Sequence, residues 1–141
     1  MANKLFLDTD VILDYLTDRQ PFANYSSLLF EMHEQKKVQI FISALSINNI
    51  YYVARKIIGE KKTLSLIDAL IEDIEVVGTS KVEIRNALDS DFKDFEDAIQ
   101  HSTAFKIKDI EAIITRNSKD YRKSKIAVFT PEIYLTTHLE S

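Results

Sequence analysis

Asp8 and Asp10 stand two residues apart, directly after the apolar run Leu5-Phe6-Leu7. A carboxylate at a strand tip and a second at the start of a helix can share one hard cation. Mg²⁺ and Mn²⁺ take oxygen ligands and keep several waters, and open α/β sheets place their ligands at the carboxyl ends of strands. Taken alone, the pair reads more simply as a helix cap, a common place for Asp. A second acidic group shifts that balance: Asp89, Asp91, Asp94, Glu96 and Asp97. On a helix, Asp94 and Asp97 are three apart and share a face. Acids in a first turn favour the helix dipole, which accounts for Asp91 and Asp94. Asp97 adjoins Ala98 and Ile99 on the apolar side, and we expect it deeper in the helix and pointing inward.

Two further polar groups follow apolar segments. Thr115-Arg116-Asn117 ends the run Ala112-Ile113-Ile114 and leads into Ser118-Lys119-Asp120-Tyr121. By itself this is an ordinary turn, since Asn and Ser are turn residues. Asn48 and Asn49 sit inside a good helical pattern, where Asn is a poor interior residue. At least one of them is expected to have a specific polar partner.

The elements that must position these groups alternate along the chain. Leu5 to Leu7, Val38 to Ile42, Ile74 to Val77, Ala112 to Thr115 and Ile126 to Phe129 read as short strands. Helices are predicted over Val11 to Leu16, from Pro21 through Met32, after a Ser43 or Ser46 cap as far as Ile57, over Thr63 to Ile71, after Ser80, over Phe92 to Phe105 and from Pro131. Gly59 is placed to end the third helix, and Ser80 with Glu83 has capping-box spacing. Strands alternating with helices predict an α/β fold with a mainly parallel central sheet, whose crossovers are right-handed.

The chain has 141 residues, 45% of them hydrophobic, with 2 Gly and 2 Pro. That is the size and composition of a single domain with a real core and no flexible linker. With 0 Cys, disulfides, thiolate metal sites and Cys nucleophiles are excluded. Asp8, Asp10 and Asp14 interrupt the first apolar stretch, so no signal peptide is expected. No segment approaches the apolar length of a membrane span. A cytoplasmic location fits this pattern. The net charge of -4 argues against nucleic-acid attraction by the molecule as a whole. Arg116, Lys119, Arg122, Lys123 and Lys125 nevertheless form a local basic cluster that could hold phosphate.

Taken in order, these motifs resemble the PIN-domain family of metal-dependent ribonucleases. The resemblance rests on Leu7-Asp8-Thr9-Asp10 with Ile12-Leu13-Asp14, on Ser43 to Tyr52 with Ala54-Arg55-Lys56, on Asp94-Phe95-Glu96-Asp97-Ala98, and on Ile114-Thr115-Arg116-Asn117 with Lys119-Asp120-Tyr121. It covers nearly the whole chain and implies a three-layer α/β/α sandwich formed by one domain, residues 1–141. Many small members are VapC-type toxins, often dimeric and neutralised by a small antitoxin. The resemblance implies a catalytic set of Asp8, Asp97, Asn49 and Asn117. Asp8 and Asp97 would hold Mg²⁺ or Mn²⁺, with Asp10 or Asp94 assisting through water. Thr115, Arg116 and Lys119 would contact RNA phosphates. Two positions depart from the family pattern: Asn49 stands where an acid, usually Glu, is found, and Asn117 where an Asp is common. Asp120 matches the aspartate that usually follows. Each Asn removes a negative charge while keeping a carbonyl oxygen, so a single weakly held ion is expected rather than a two-ion site. A ribonuclease acting on single-stranded RNA is the leading expectation. A non-catalytic RNA- or protein-binding module and another phosphate-ester hydrolase are the alternatives.

Overall fold

Three consecutive apolar residues can stand in a strand only where both faces of a sheet are covered. In the computed structural model, which describes residues 2–138, the first strand has that environment. Strand β1 (Asn3–Leu7) lies at the centre of a five-stranded, wholly parallel sheet. β2 (Val38–Ser43) and β4 (Ile110–Ile114) pair with it on either side. β3 (Glu75–Val77) and β5 (Ala127–Phe129) form the edges, giving the order β3-β2-β1-β4-β5. Side chains alternate between the two faces with the strand period of two. Leu5, Leu7, Ile40, Ile42, Ala112 and Ile114 enter one core cluster, while Phe6, Phe41 and Ile113 enter the other.

Helices cover both faces. The first cluster is completed by α1 (Thr9–Leu16), α2 (Phe22–Glu34), α3 (Ala44–Ile58), α4 (Glu60–Asp73) and α7 (Pro131–His138). The second is covered by α6 (Phe95–Phe105), through Ala104, and by Tyr121 of the 3₁₀ turn Ser118–Tyr121. α5 (Lys81–Leu88) packs on α6. This is the expected three-layer α/β/α sandwich. The ends of the expected single domain, residues 1 and 139–141, lie outside the described residues. Among the described residues, no helix is long and apolar enough to cross a membrane.

The helix ends follow local chemistry. Ser43 caps α3 by accepting from the Ser46 N–H at 3.0 Å. Ser80 and Glu83 form the capping box of α5. Gly59 adopts φ 87° between α3 and α4, a conformation other residues avoid, and this divides one long helical stretch in two. α4 therefore begins at Glu60 rather than at Thr63. The larger difference lies at α6. It begins at Phe95, not Phe92, because the Asp94 side chain accepts from the Asp97 N–H at 2.9 Å and stops the helix there. Asp97 is thus a first-turn residue, not one deeper in the helix.

Leu7 is fully buried at the sheet centre. Leu7→Ala is expected to cost about 2–5 kcal/mol. Ile57→Ala, at a side chain 62% exposed, should change stability by no more than about 0.5 kcal/mol. Urea melts of the two variants check both values.

Candidate active site

β1 ends by handing its chain direction to α1, and Asp8 occupies the junction. Its backbone N–H donates to the Ile114 carbonyl at 2.9 Å, extending the sheet pairing by one residue. Its side chain caps α1 by accepting from the Thr9 N–H at 2.8 Å. The expected cap is therefore real. Asp8 also does more than cap, because its carboxylate is 8% exposed and receives donors from distant segments. The Thr115 hydroxyl donates to Oδ2 at 2.9 Å and the Tyr121 hydroxyl at 3.3 Å. Gln100 Nε2 reaches Oδ1 at 3.4 Å. Burial, then the Asp8 charge, pushes the Tyr121 hydroxyl well above its ordinary pKa, so it remains a neutral donor.

Gln100 is the residue that the sequence reading missed. It is 1% exposed. It accepts from the Ser43 hydroxyl at 2.5 Å and donates to the Ser46 oxygen at 2.7 Å. One side chain thus ties α6 to the start of α3 and both to Asp8. The available signal was a Gln set beside Ala98 and Ile99 on the helix side that faces the core.

Asp10 sits in the first turn of α1. Its Oδ2 accepts from the Arg116 backbone N–H at 3.1 Å and from Asn117 Nδ2 at 3.5 Å. Its Oδ1 is buried and has no hydrogen-bond partner among the described residues. Burial first, and then the charge of Asp8, raise the Asp10 carboxyl to about 7. Asp97 is raised to about 7 as well, by burial and then by Asp8 and Asp94. Glu96 is shifted upward by burial and then by Asp8. Like charges crowded together disfavour ionisation in this way.

The remaining sequence candidates fall around this centre. Asn117 is exposed and reaches Asp10. Asn49 is half-buried on α3, and its Nδ2 donates to Glu96 Oε1. Asp94 caps α6. Lys119 lines a ≈ 260 Å³ cleft together with Asp94, Asp120, Arg122 and Lys123, so the basic cluster borders the acids. Thr115 is fully buried with its hydroxyl on Asp8. Arg116 turns its guanidinium to Asp14, with Nε 2.6 Å from Oδ2 and Nη2 3.2 Å from Oδ1. The Phe22 ring lies 4.2 Å from the guanidinium carbon.

The donor chemistry suits a hard cation. All the acids are oxygen donors, one buried carboxylate oxygen lacks a partner, and burial together with neighbouring carboxylates raises two of the carboxyls to about 7. Among the described residues, no group of three or more Asp, Glu or His side chains is placed to hold a metal ion. An ion here would be held partly through water, as is usual for Mg²⁺.

A fully parallel sheet with acids collected at its carboxyl edge defines a class, and the chain belongs to the PIN domain family, whose profile matches residues 4–119. It is 31% identical over 136 residues to Ribonuclease VapC1 of Aquifex aeolicus (strain VF5), covering 93% of this chain and 92% of that protein. A toxin–antitoxin complex from Klebsiella pneumoniae contains a chain that superposes with a TM-score of 0.67 at 23% identity, covering 90% of this chain and 97% of that one. VapBC2 from Rickettsia felis, bound to a DNA fragment from its promoter, gives 0.63 at 18% identity, covering 90% and 98%. Both structural likenesses are likenesses of fold.

Two predictions follow from the electrostatics. Asp10 and Asp97 have folded pKa values above their unfolded ones, so the native state binds more protons between about 4 and about 7, and stability falls as pH rises through that window. Asp10→Asn with Asp97→Asn removes the two titrations. Asn at position 10 can still accept from the Arg116 N–H. The metal-free double variant should therefore show a shallower fall in melting temperature from pH 4 to pH 7 than the parent; an equally steep fall would contradict the assignment. Separately, Arg116→Met leaves the Asp14 carboxylate, 1% exposed, without its cation. The expected cost is about 3–5 kcal/mol. Adding Asp14→Asn should recover part of it, and denaturant melts of the single and double variants measure that coupling.

Proposed function

We propose that the protein is a ribonuclease that cleaves single-stranded RNA with the help of Mg²⁺ or Mn²⁺, and that it is the toxin of a toxin–antitoxin pair. The observation that carries this reading is the buried Asp8 carboxylate at the sheet edge, with Asp10 and Asp97 both forced towards neutrality beside it. The VapC identity of the Aquifex aeolicus relative supports the RNA-cleaving part. The toxin–antitoxin complexes among the structural neighbours support an antitoxin partner. A homodimer and a cytoplasmic location belong to the same reading.

When bound, a divalent ion supplies an activated water and stabilises charge on the scissile phosphate. Asp8 and Asp97 are the residues that hold it, with Asp10 and Asp94 assisting through water. Thr115, Tyr121 and Gln100 fix the Asp8 carboxylate so that it does not rotate away. Asn117 lies against Asp10 and orients a water. Lys119 with Arg122 and Lys123 holds the RNA backbone, which gives affinity rather than sequence choice. The Arg116 guanidinium, anchored on Asp14, ties the segment after β4 to α1. Unpaired RNA is the substrate because sequence-specific recognition of RNA works through splayed, unstacked bases.

The test is cleavage of a fluorophore–quencher single-stranded RNA by the purified protein. Cleavage should require added Mg²⁺ or Mn²⁺ and stop with EDTA. Asp8→Asn should lower it by at least the roughly 10–100-fold that even outer-shell partners of a metal contribute, while the protein stays folded by circular dichroism. Cleavage that persists in EDTA would overturn the metal-dependent reading. No cleavage, together with no heat of Mn²⁺ binding, would leave an RNA- or protein-binding module, which the loss of acids at Asn49 and Asn117 favours.

A further inference from the structure

We infer that the cavity between α5, α6 and the segment leading into β5 takes one unpaired RNA base, stacked on Phe105, and favours a base whose pairing edge carries an amino group. The inference rests on the RNA reading above and adds to it a base-binding subsite beside the acids.

The cavity has a volume of ≈ 470 Å³, within the roughly 300–1,000 Å³ of small-ligand sites. Three of its lining side chains are rings: Phe92, His101 and Phe105. The Phe92 and His101 centroids are 4.9 Å apart with the rings tilted by 33°, and those of His101 and Phe105 are 6.0 Å apart at 30°. The inner two rings are held in place. His101 is 8% exposed and its Nε2 accepts from the Lys125 N–H at 3.1 Å, while Phe92 packs edge-on against Tyr121. Phe105 ends the row and is 56% exposed. A single exposed Phe is ordinary on a protein surface. One that ends a row of rings in a cavity shared with lysines is a stacking platform, the feature on which proteins hold unpaired bases.

The polar lining completes a nucleotide site. Lys123 and Lys125, from the segment before β5, supply positive charge for the flanking phosphates. Asp89 and Asp91, from the loop after α5, also line the cavity. They repel phosphate, so they do not belong to a track for the backbone alone. Carboxylates accept hydrogen bonds and suit an amino group on a base edge, as in the pairing of Asp with the cytosine amino group. Position ties the cavity to the acids at the sheet edge. Asp91, Phe92 and Lys123 line both this cavity and the cleft that holds Lys119, Asp94 and Asp120. Tyr121, against which Phe92 packs, donates to Asp8. A strand whose backbone lies on Lys119 and Lys123 runs directly into the cavity.

The test reads binding without turnover. Short fluorescein-labelled oligo(C) and oligo(U) are titrated in EDTA with the full chain and with Phe105→Ala, Phe105→Tyr, Asp89→Asn with Asp91→Asn, and Lys119→Gln as a reference. Fluorescence anisotropy gives each Kd, and circular dichroism melts confirm that each variant is folded. The parent should bind oligo(C) roughly 3–10-fold tighter than oligo(U), the scale of one hydrogen bond. Phe105→Ala should raise both Kd values about 5-fold or more, the loss of one stacked base. Phe105→Tyr keeps a ring and should retain the parent values. The double Asp variant should bring the two Kd values together, a change of ratio that a general gain in positive charge does not produce. Unchanged Kd values in Phe105→Ala, with weaker binding by Lys119→Gln, would overturn this inference and leave the RNA reading in place; the cavity would then belong to another ligand, such as a protein segment. A parent that binds the two oligonucleotides equally, or a ratio unmoved in the double Asp variant, would overturn the preference for an amino-bearing base. No binding of either oligonucleotide by the parent would overturn the RNA reading itself, and this inference with it.

Discussion

A carboxylate placed at the tip of a strand buried on both faces must be satisfied from within the protein, because burying an unpaired charge is prohibitively costly. Asp8 is in that position, and much of the molecule is arranged to meet its needs. The α1 backbone, the Thr115 hydroxyl after β4, the Tyr121 hydroxyl and the Gln100 amide all donate to it. None of these partners brings a positive charge. Burial first, and then the nearby Asp8 carboxylate, raise Asp10 and Asp97 to about 7 and shift Glu96 in the same direction. The crowded carboxyls leave an electrostatic deficit at the sheet edge.

The surrounding polar contacts make that deficit rigid rather than floppy. Gln100 links Ser43, Ser46 and Asp8, so α3 and α6 cannot move independently at the sheet edge. On the other side, the Asp14–Arg116 pair, with Phe22 against the guanidinium, ties α1 to the segment after β4. That segment holds Asp10 through the Arg116 backbone. Sites of this kind work when the groups that hold a ligand are themselves held by their neighbours. The positive cluster at Lys119, Arg122 and Lys123 lies just beyond the acids. A chain of net charge -4 thus carries a local basic cluster directly beside its acidic centre.

The central architecture was legible in sequence because it depends on local rules. Leu5-Phe6-Leu7 followed by Asp8 announced a doubly covered strand and a capped helix, and the Ser80–Glu83 spacing announced a capping box. The alternation of strands and helices left little choice but a parallel sheet. Where local rules compete, the sequence was less decisive. Asp94 could continue a helix or cap one, and its bond to the Asp97 N–H moved the start of α6 to Phe95. This put Asp97 in the first turn, where the dipole argument applies to it after all.

By itself, then, the sequence determined the element order, the two-faced core and the position of Asp8 at a strand end, since each follows from residue periodicity and capping chemistry within a few positions. Only the tertiary structure decided which side chains meet. Gln100 under Asp8, Arg116 on Asp14 and Asn49 against Glu96 join residues 92, 102 and 47 positions apart. No spacing rule reaches that far. Such pairings are fixed by how the helices pack on the sheet, and a buried polar group takes whichever partner that packing brings within hydrogen-bond distance.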